Sequence, residues 1–192
     1  MSLRPFLLIA VACLPIVLCA QNEKPAHYQL FGGYTFLSNS PNGLQGEHQP
    51  LNGWDTSIEF PPWNNLRFKM EYSEYIGTNL GASQKPFYIM AGGQYSQRLG
   101  KESVYVEGLF GNVGINRYWG PNQLTGDTAS FATFFGGGLD TPINRRFAFR
   151  VGGDYVWSNL SLIQSVSYAA PYTYPGLPRY FGRVNSGIVW KF

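Results

Sequence analysis

Charged residues punctuate the apolar stretches of this chain at even spacings: Asp55 and Glu59; Arg67, Lys69 and Glu71; Glu107; Asp140; Arg146, Arg150 and Asp154; Arg183 and Lys191. Six are acidic and six basic, so the chemistry open to them as a set is mutual ion pairing. A path lined by a single sign would instead select permeant ions. Nucleophilic and metal chemistry have little to work with. His27 and His48 are the only histidines, and neither lies beside a serine–acid arrangement. A hydrolase triad would therefore lack a base within reach of its nucleophile, and no enzymatic activity is expected. Two histidines, with both cysteines confined to the first twenty residues, give no structural transition-metal set. No cofactor is called for. The glycine-rich segments FGGY (31–34) and FGGGLD (135–140) lack the Lys-Ser/Thr ending and the strand–turn–helix setting of a phosphate cradle. They read as strand glycines that make room for neighbouring side chains.

The elements that must position these charges begin after residue 20. Residues 1–20 carry a positive charge at Arg4, an apolar run from Phe6 to Leu18 and the small residue Ala20 before Gln21. This is the pattern of a cleaved secretory signal peptide, because the run is too short to cross a bilayer. Lipidation of Cys19 is the alternative processing, disfavoured by Leu18 where a small residue is wanted. Without Arg4 the remaining chain holds 13 basic and 11 acidic residues, which is no nucleic-acid signature. Residues 21–26 read as a short lead-in and 27–192 as one domain.

Period-two alternation recurs eight times, predicting strands at about 28–37, 53–60, 66–73, 87–96, 103–114, 131–140, 146–158 and 180–192. One face of these strands is apolar and uncharged, as in Phe147, Phe149, Val151, Gly153, Tyr155 and Trp157. The other holds the twelve charges. Connections alternate in length. PPWNN (61–65), QRLGKE (97–102) and TPINR (141–145) are short, whereas 38–52, 74–86, 115–130 and 159–179 are long. Short turns at one end and long loops at the other are the pattern of an outer-membrane barrel with both termini periplasmic. Aromatics on the apolar face gather at the two ends. Phe36, Trp54, Tyr72, Phe87, Phe131 and Trp157 lie toward the loops, and Tyr28, Phe60, Tyr95 and Phe147 toward the turns. Such girdles mark the two membrane–water boundaries. The expected fold is all-β, an eight-stranded antiparallel up-and-down transmembrane β-barrel. Its lumen, only wide enough for side chains to fill, would be plugged by the ion pairs.

The segments FGGYTFL, FFGGGLDTPINRRFAFRVGGDYV and the terminal VNSGIVWKF resemble the small outer-membrane β-barrel domains of the OmpA-like type, without a peptidoglycan-binding domain. The resemblance implies a Gram-negative outer-membrane location and a role in envelope integrity and surface interaction. It also implies that Tyr180, Val184, Ile188, Trp190 and Phe192 form a C-terminal signal read by the outer-membrane insertion machinery. Outer-membrane lipid is the second implied partner. Tyr118, Trp119, Tyr168, Tyr172 and Tyr174 in the long loops are the candidate surface for an extracellular partner or glycan. Two other readings stand beside this one. A narrow channel for ions or small solutes requires a wet lumen. A soluble periplasmic ligand-binding barrel requires the apolar face to point inward.

Overall fold

The computed structural model describes residues 28–40, 49–79, 82–118, 128–159 and 180–192. They form eight strands: β1 (Gln29–Ser40), β2 (Gln49–Glu59), β3 (Leu66–Asn79), β4 (Ala82–Leu99), β5 (Glu102–Tyr118), β6 (Thr128–Pro142), β7 (Phe147–Ser158) and β8 (Tyr180–Lys191). Each strand pairs antiparallel with its sequence neighbours, and β8 pairs with β1 to close the barrel. Every ladder therefore joins two strands, and no edge is left open. The terminal residue completes the closure. Tyr28 donates its N–H to the Phe192 carbonyl at 3.0 Å, and Phe192 donates to the Tyr28 carbonyl at 3.1 Å.

The short turns follow local chemistry. Gly100 takes the positive φ (66°) that a tight two-residue hairpin between β4 and β5 requires. Between β6 and β7 the Asn144 side chain accepts from the N–H groups of Arg146 (2.8 Å) and Phe147 (2.9 Å). That turn holds Arg146 outside the barrel.

Strands β1 to β6 run further toward the loop end than alternation predicts. The expected long loop at 74–86 is mostly ladder, with Gly77 opposite Gln84, Thr78 opposite Ser83 and Asn79 opposite Ala82. Pro86 has no N–H to donate, so pairing lapses at Tyr75 and Ile76 and then resumes in the same register. Its Gly, Ser, Asn and Pro content gives this ribbon the composition of a loop. β5 likewise runs on to Tyr118, which pairs with Ser83, so this residue expected in a loop ends a strand. The signal-peptide and lead-in residues, His27, His48, Trp119, Tyr168, Tyr172 and Tyr174 lie outside the described residues.

Candidate functional site: the barrel lumen

Alternation fixes which side chains enter the lumen. In β7 the sequence FAFRVGGDYVWS gives Phe147, Phe149, Val151 and Tyr155 to the outside, and Ala148, Arg150, Asp154 and Val156 to the inside. The other strands follow the same rule. Phe135 is 64% exposed and Val106 58%, while Asp55, Arg150 and Arg183 are each only 1% exposed. The apolar strand face is the outer one, the reverse of the orientation that a soluble barrel requires.

The inner wall holds two layers of charge. Toward the turn end, Arg150 donates from Nε to Asp140 Oδ1 at 2.6 Å and from Nη2 to Oδ2 at 2.8 Å. Its Nη1 reaches Glu59 Oε1 at 2.5 Å. Gln94 donates to the second Glu59 oxygen at 3.2 Å. The guanidinium lies over the Tyr105 ring, 4.6 Å from its centroid. Buried Arg67 and half-buried Lys191 occupy the same end.

At mid-height, Arg183 pairs with Asp154 through Nε (2.7 Å) and Nη2 (2.6 Å), and through Nη1 with Glu71. Glu71 also meets Lys69 at 2.9 Å, and Lys69 meets Glu107 at 2.8 Å. Asp154, Arg183, Glu71, Lys69 and Glu107 thus form a chain of alternating sign.

Both arginines follow one scheme. Each takes a carboxylate directly opposite on a neighbouring strand, Asp140 for Arg150 and Asp154 for Arg183. Each then crosses the bore to a glutamate three strands away, Glu59 on β2 or Glu71 on β3. The bidentate fork of arginine suits such double duty. Glycines clear the space: a Cβ on Gly136 would collide with the Asp154 carboxylate, and one on Gly152 with the Tyr105 hydroxyl.

Ten of the twelve charged residues expected in the lumen are buried there: Asp55, Glu59, Arg67, Lys69, Glu71, Glu107, Asp140, Arg150, Asp154 and Arg183. Lys191 is half-buried. Arg146 is a correction: it stands exposed in the β6–β7 turn because β7 starts one residue later than alternation predicts.

Sequence reasoning missed the layer above the charges. Leu37, Leu51, Tyr75, Tyr88, Met90, Leu109, Val113, Ala132, Phe134, Val156 and Phe181 form one buried apolar cluster. On β2, β3, β5, β6, β7 and β8 these positions lie on the loop side of the inward charges, while β1 and β4 carry no buried charge among the described residues. The Tyr88 and Phe134 rings pack at 5.2 Å and Tyr75 on Tyr88 at 5.8 Å, while Phe134 also lies 4.3 Å from the Arg183 guanidinium. The lumen is ion-paired below and packed with apolar groups above.

On the outer surface the aromatics gather in two bands. Tyr28, Phe60, Phe68, Trp190 and Phe192 are linked by ring contacts of 4.8–6.0 Å at the turn end. At the loop end Trp54, Tyr72 and Phe87 form one run, and Phe131–Trp157 and Tyr155–Tyr180 two further pairs. Phe36, Tyr95 and Phe147 also face outward. So do Tyr180, Val184, Ile188, Trp190 and Phe192, all exposed on one face of β8 and the residue after it.

No family model and no curated protein sequence matches the chain. Solved structures do. Neisserial surface protein A superposes with a TM-score of 0.61 at 15% identity, over 86% of this chain and 97% of that one. Ail of Yersinia pestis, solved in complex with the heparin analogue sucrose octasulfate, gives 0.56 at 12% identity, over 88% and 99%. The N-terminal barrel domain of Pseudomonas aeruginosa OprF gives 0.53 at 13% identity, over 87% and 98%. The chain has the fold of the small eight-stranded outer-membrane β-barrels.

Proposed function

We propose that this protein is an integral barrel of the Gram-negative outer membrane, with a sealed lumen and a role in envelope integrity and surface interaction. The exposed apolar wall supports the membrane location, since a continuous apolar band around a soluble protein would be an aggregation surface. Its height agrees. Phe147 and Trp157 bound the band on β7, and ten strand steps tilted by about 40° rise about 26 Å, close to the roughly 25 Å apolar band of such barrels. Tight turns and the joined termini at the opposite end from the long connections fit a periplasmic turn end. Phe192 pairs with Tyr28 at that end, which supports a role for the closing strand as the segment that the insertion machinery reads.

The observation that carries the sealed lumen is the packed apolar layer above the ion-paired one. A permeant ion would have to shed its water against Phe134, Tyr88 and Leu109 after breaking a trans-lumen pair, and the first alone is a strong barrier. Surface interaction would then fall to the connections at 41–48, 119–127 and 160–179. Trp119, Tyr168, Tyr172 and Tyr174 are the aromatic anchors there for a protein or glycan. That Ail was solved with a heparin analogue supports a glycan as the class of partner.

Single-channel recording of the refolded protein in a planar bilayer tests the reading. Protein shown to be inserted should pass no discrete current. Reproducible openings would overturn the seal and favour a narrow channel.

A further inference from the structure

The buried charges do not balance. Among the described residues six carboxylates, Asp55, Glu59, Glu71, Glu107, Asp140 and Asp154, face four buried cations, Arg67, Lys69, Arg150 and Arg183. The deficit is local. At the turn end Arg150 and Arg67, with half-buried Lys191 beside them, offset Glu59 and Asp140. At mid-height four carboxylates (Asp154, Glu71, Glu107 and Asp55) meet only Arg183 and Lys69. Asp55 is the residue left over. It is 1% exposed, and neither carboxylate oxygen has a hydrogen-bond partner among the described residues. A bare carboxylate buried without a hydrogen-bond partner is strongly disfavoured, so it must take up either a cation or a proton.

The surroundings of Asp55 say which kind. Ser73 stands directly opposite it on β3, and Ser57 lies two residues along β2 on the same inner face, opposite Glu71. The Ser57 hydroxyl is buried and also without a partner among the described residues. Two carboxylate oxygens and two hydroxyls on one small tile of wall are hard oxygen donors, the set that an alkali cation prefers. A divalent ion is less well served, because the nearby Glu71, Asp154 and Glu107 are committed to Arg183 and Lys69. Among the described residues no three acidic, histidine or cysteine side chains converge as a metal-binding group.

We propose that Asp55, Ser57 and Ser73 form a binding site for a monovalent metal cation of the sodium or potassium class, held in the mid-lumen. The apolar layer above and the paired layer below enclose the site, so the ion is taken up as the barrel closes. The site goes beyond the sealed-lumen reading and does not depend on the membrane location.

The full mature chain, refolded into detergent micelles in sodium, potassium or choline chloride at equal ionic strength, tests it. After desalting, elemental analysis of the folded protein should find one alkali ion per barrel in the wild type and none in the Asp55→Asn variant. Unfolding by urea should also depend on the cation. At a concentration tenfold above the dissociation constant, the wild-type unfolding equilibrium constant should be about elevenfold lower than in choline. The Asp55→Asn variant should show no such difference, and Ser57→Ala a weakened one. Absence of bound ion from folded wild type, or a cation effect surviving in Asp55→Asn, would overturn the proposal. Stability set by pH alone, with no ion bound, would assign the counter-charge to a proton and overturn it equally.

Discussion

Replacing Arg183 by Met isolates the contribution of one trans-lumen pair. The substitution keeps an unbranched stem of similar volume and removes the guanidinium. Arg183 is 1% exposed, donates at 2.7 Å from Nε to Asp154, and bridges the bore to Glu71. Without it Asp154 loses its partner on the neighbouring strand, and Glu71 keeps only Lys69 at 2.9 Å. Breaking a buried pair from one side costs about 3–5 kcal/mol, because the orphaned carboxylate stays buried. The ring contact with Phe134 is also lost, but Met packs well on aromatic faces and recovers much of it. The unfolding equilibrium constant should therefore rise by roughly two to three and a half orders of magnitude. Urea titration in phospholipid vesicles, followed by tryptophan fluorescence and by the migration of unheated samples on a gel, reads this as a fall in midpoint at constant slope. The Asp154→Asn change in the same background should restore part of the loss, since it removes the stranded charge, and a double-mutant cycle measures the coupling. A midpoint unchanged to within about 0.5 kcal/mol would refute the reasoning, because it would mean that water reaches these carboxylates as readily as Arg183 does.

Three further outcomes follow from the same geometry. Val151→Arg puts a charge near the middle of the outer band and should cost about 2–4 kcal/mol in vesicles; a neutral effect on folding there would argue against lipid at that face. Phe134→Ala opens the apolar layer, should cost about 3–5 kcal/mol, and should bring on small current steps in a bilayer if that layer is the seal. Silence from the inserted variant would move the barrier to the ion pairs. Phe192→Ala keeps the backbone bonds to Tyr28 but loses ring contacts to Trp190 (4.8 Å) and Tyr28 (5.9 Å). It should cost about 1–2 kcal/mol and slow assembly in the outer membrane, measured as the fraction of folded protein after a pulse of synthesis.

The sequence made the wall of the barrel legible and much of its filling illegible. β7 alternates without a break, so Arg150 and Asp154 separate cleanly from Val151 and Tyr155. Cross-strand pairs such as Asp140–Arg150 lie within reach of such reasoning, because a tight turn fixes the register of the hairpin. The trans-lumen pair Arg150–Glu59 does not, since its partners stand 91 positions apart and meet only once the barrel has closed. Arg146 has the inward parity of Arg150, but it lies one residue before β7 begins, in a turn whose start alternation alone does not mark. The apolar layer was missed for a different reason. Charge served as the marker of the interior, and an inward Phe134 looks the same in sequence as an outward Phe135. Leu51 and Tyr75 were hidden further, inside segments whose Gly, Ser, Asn and Pro content suggests loops.

The order of the two layers has a physical consequence for how the chain finds its register. A barrel apolar on both faces would gain little by preferring one strand alignment over the alignment one residue away, since period-two alternation simply exchanges the faces. The buried charges remove that degeneracy. A one-residue slip of β8 would turn Arg183 and Lys191 toward lipid and bring Val184, Ile188 and Trp190 into the lumen. An outward Arg183 would cost up to about 2–4 kcal/mol by its depth and Lys191, at the turn-end aromatic band, little, on top of the stranded Glu71 and Asp154. The apolar cluster cannot supply this discrimination but can supply close packing, which a layer of long charged side chains does less well. Charge from the turn end to mid-height and apolar packing toward the loops therefore divide specificity from stability along the barrel axis. The connections beyond the apolar layer can then vary without disturbing either, which is where a surface-interaction role would need freedom.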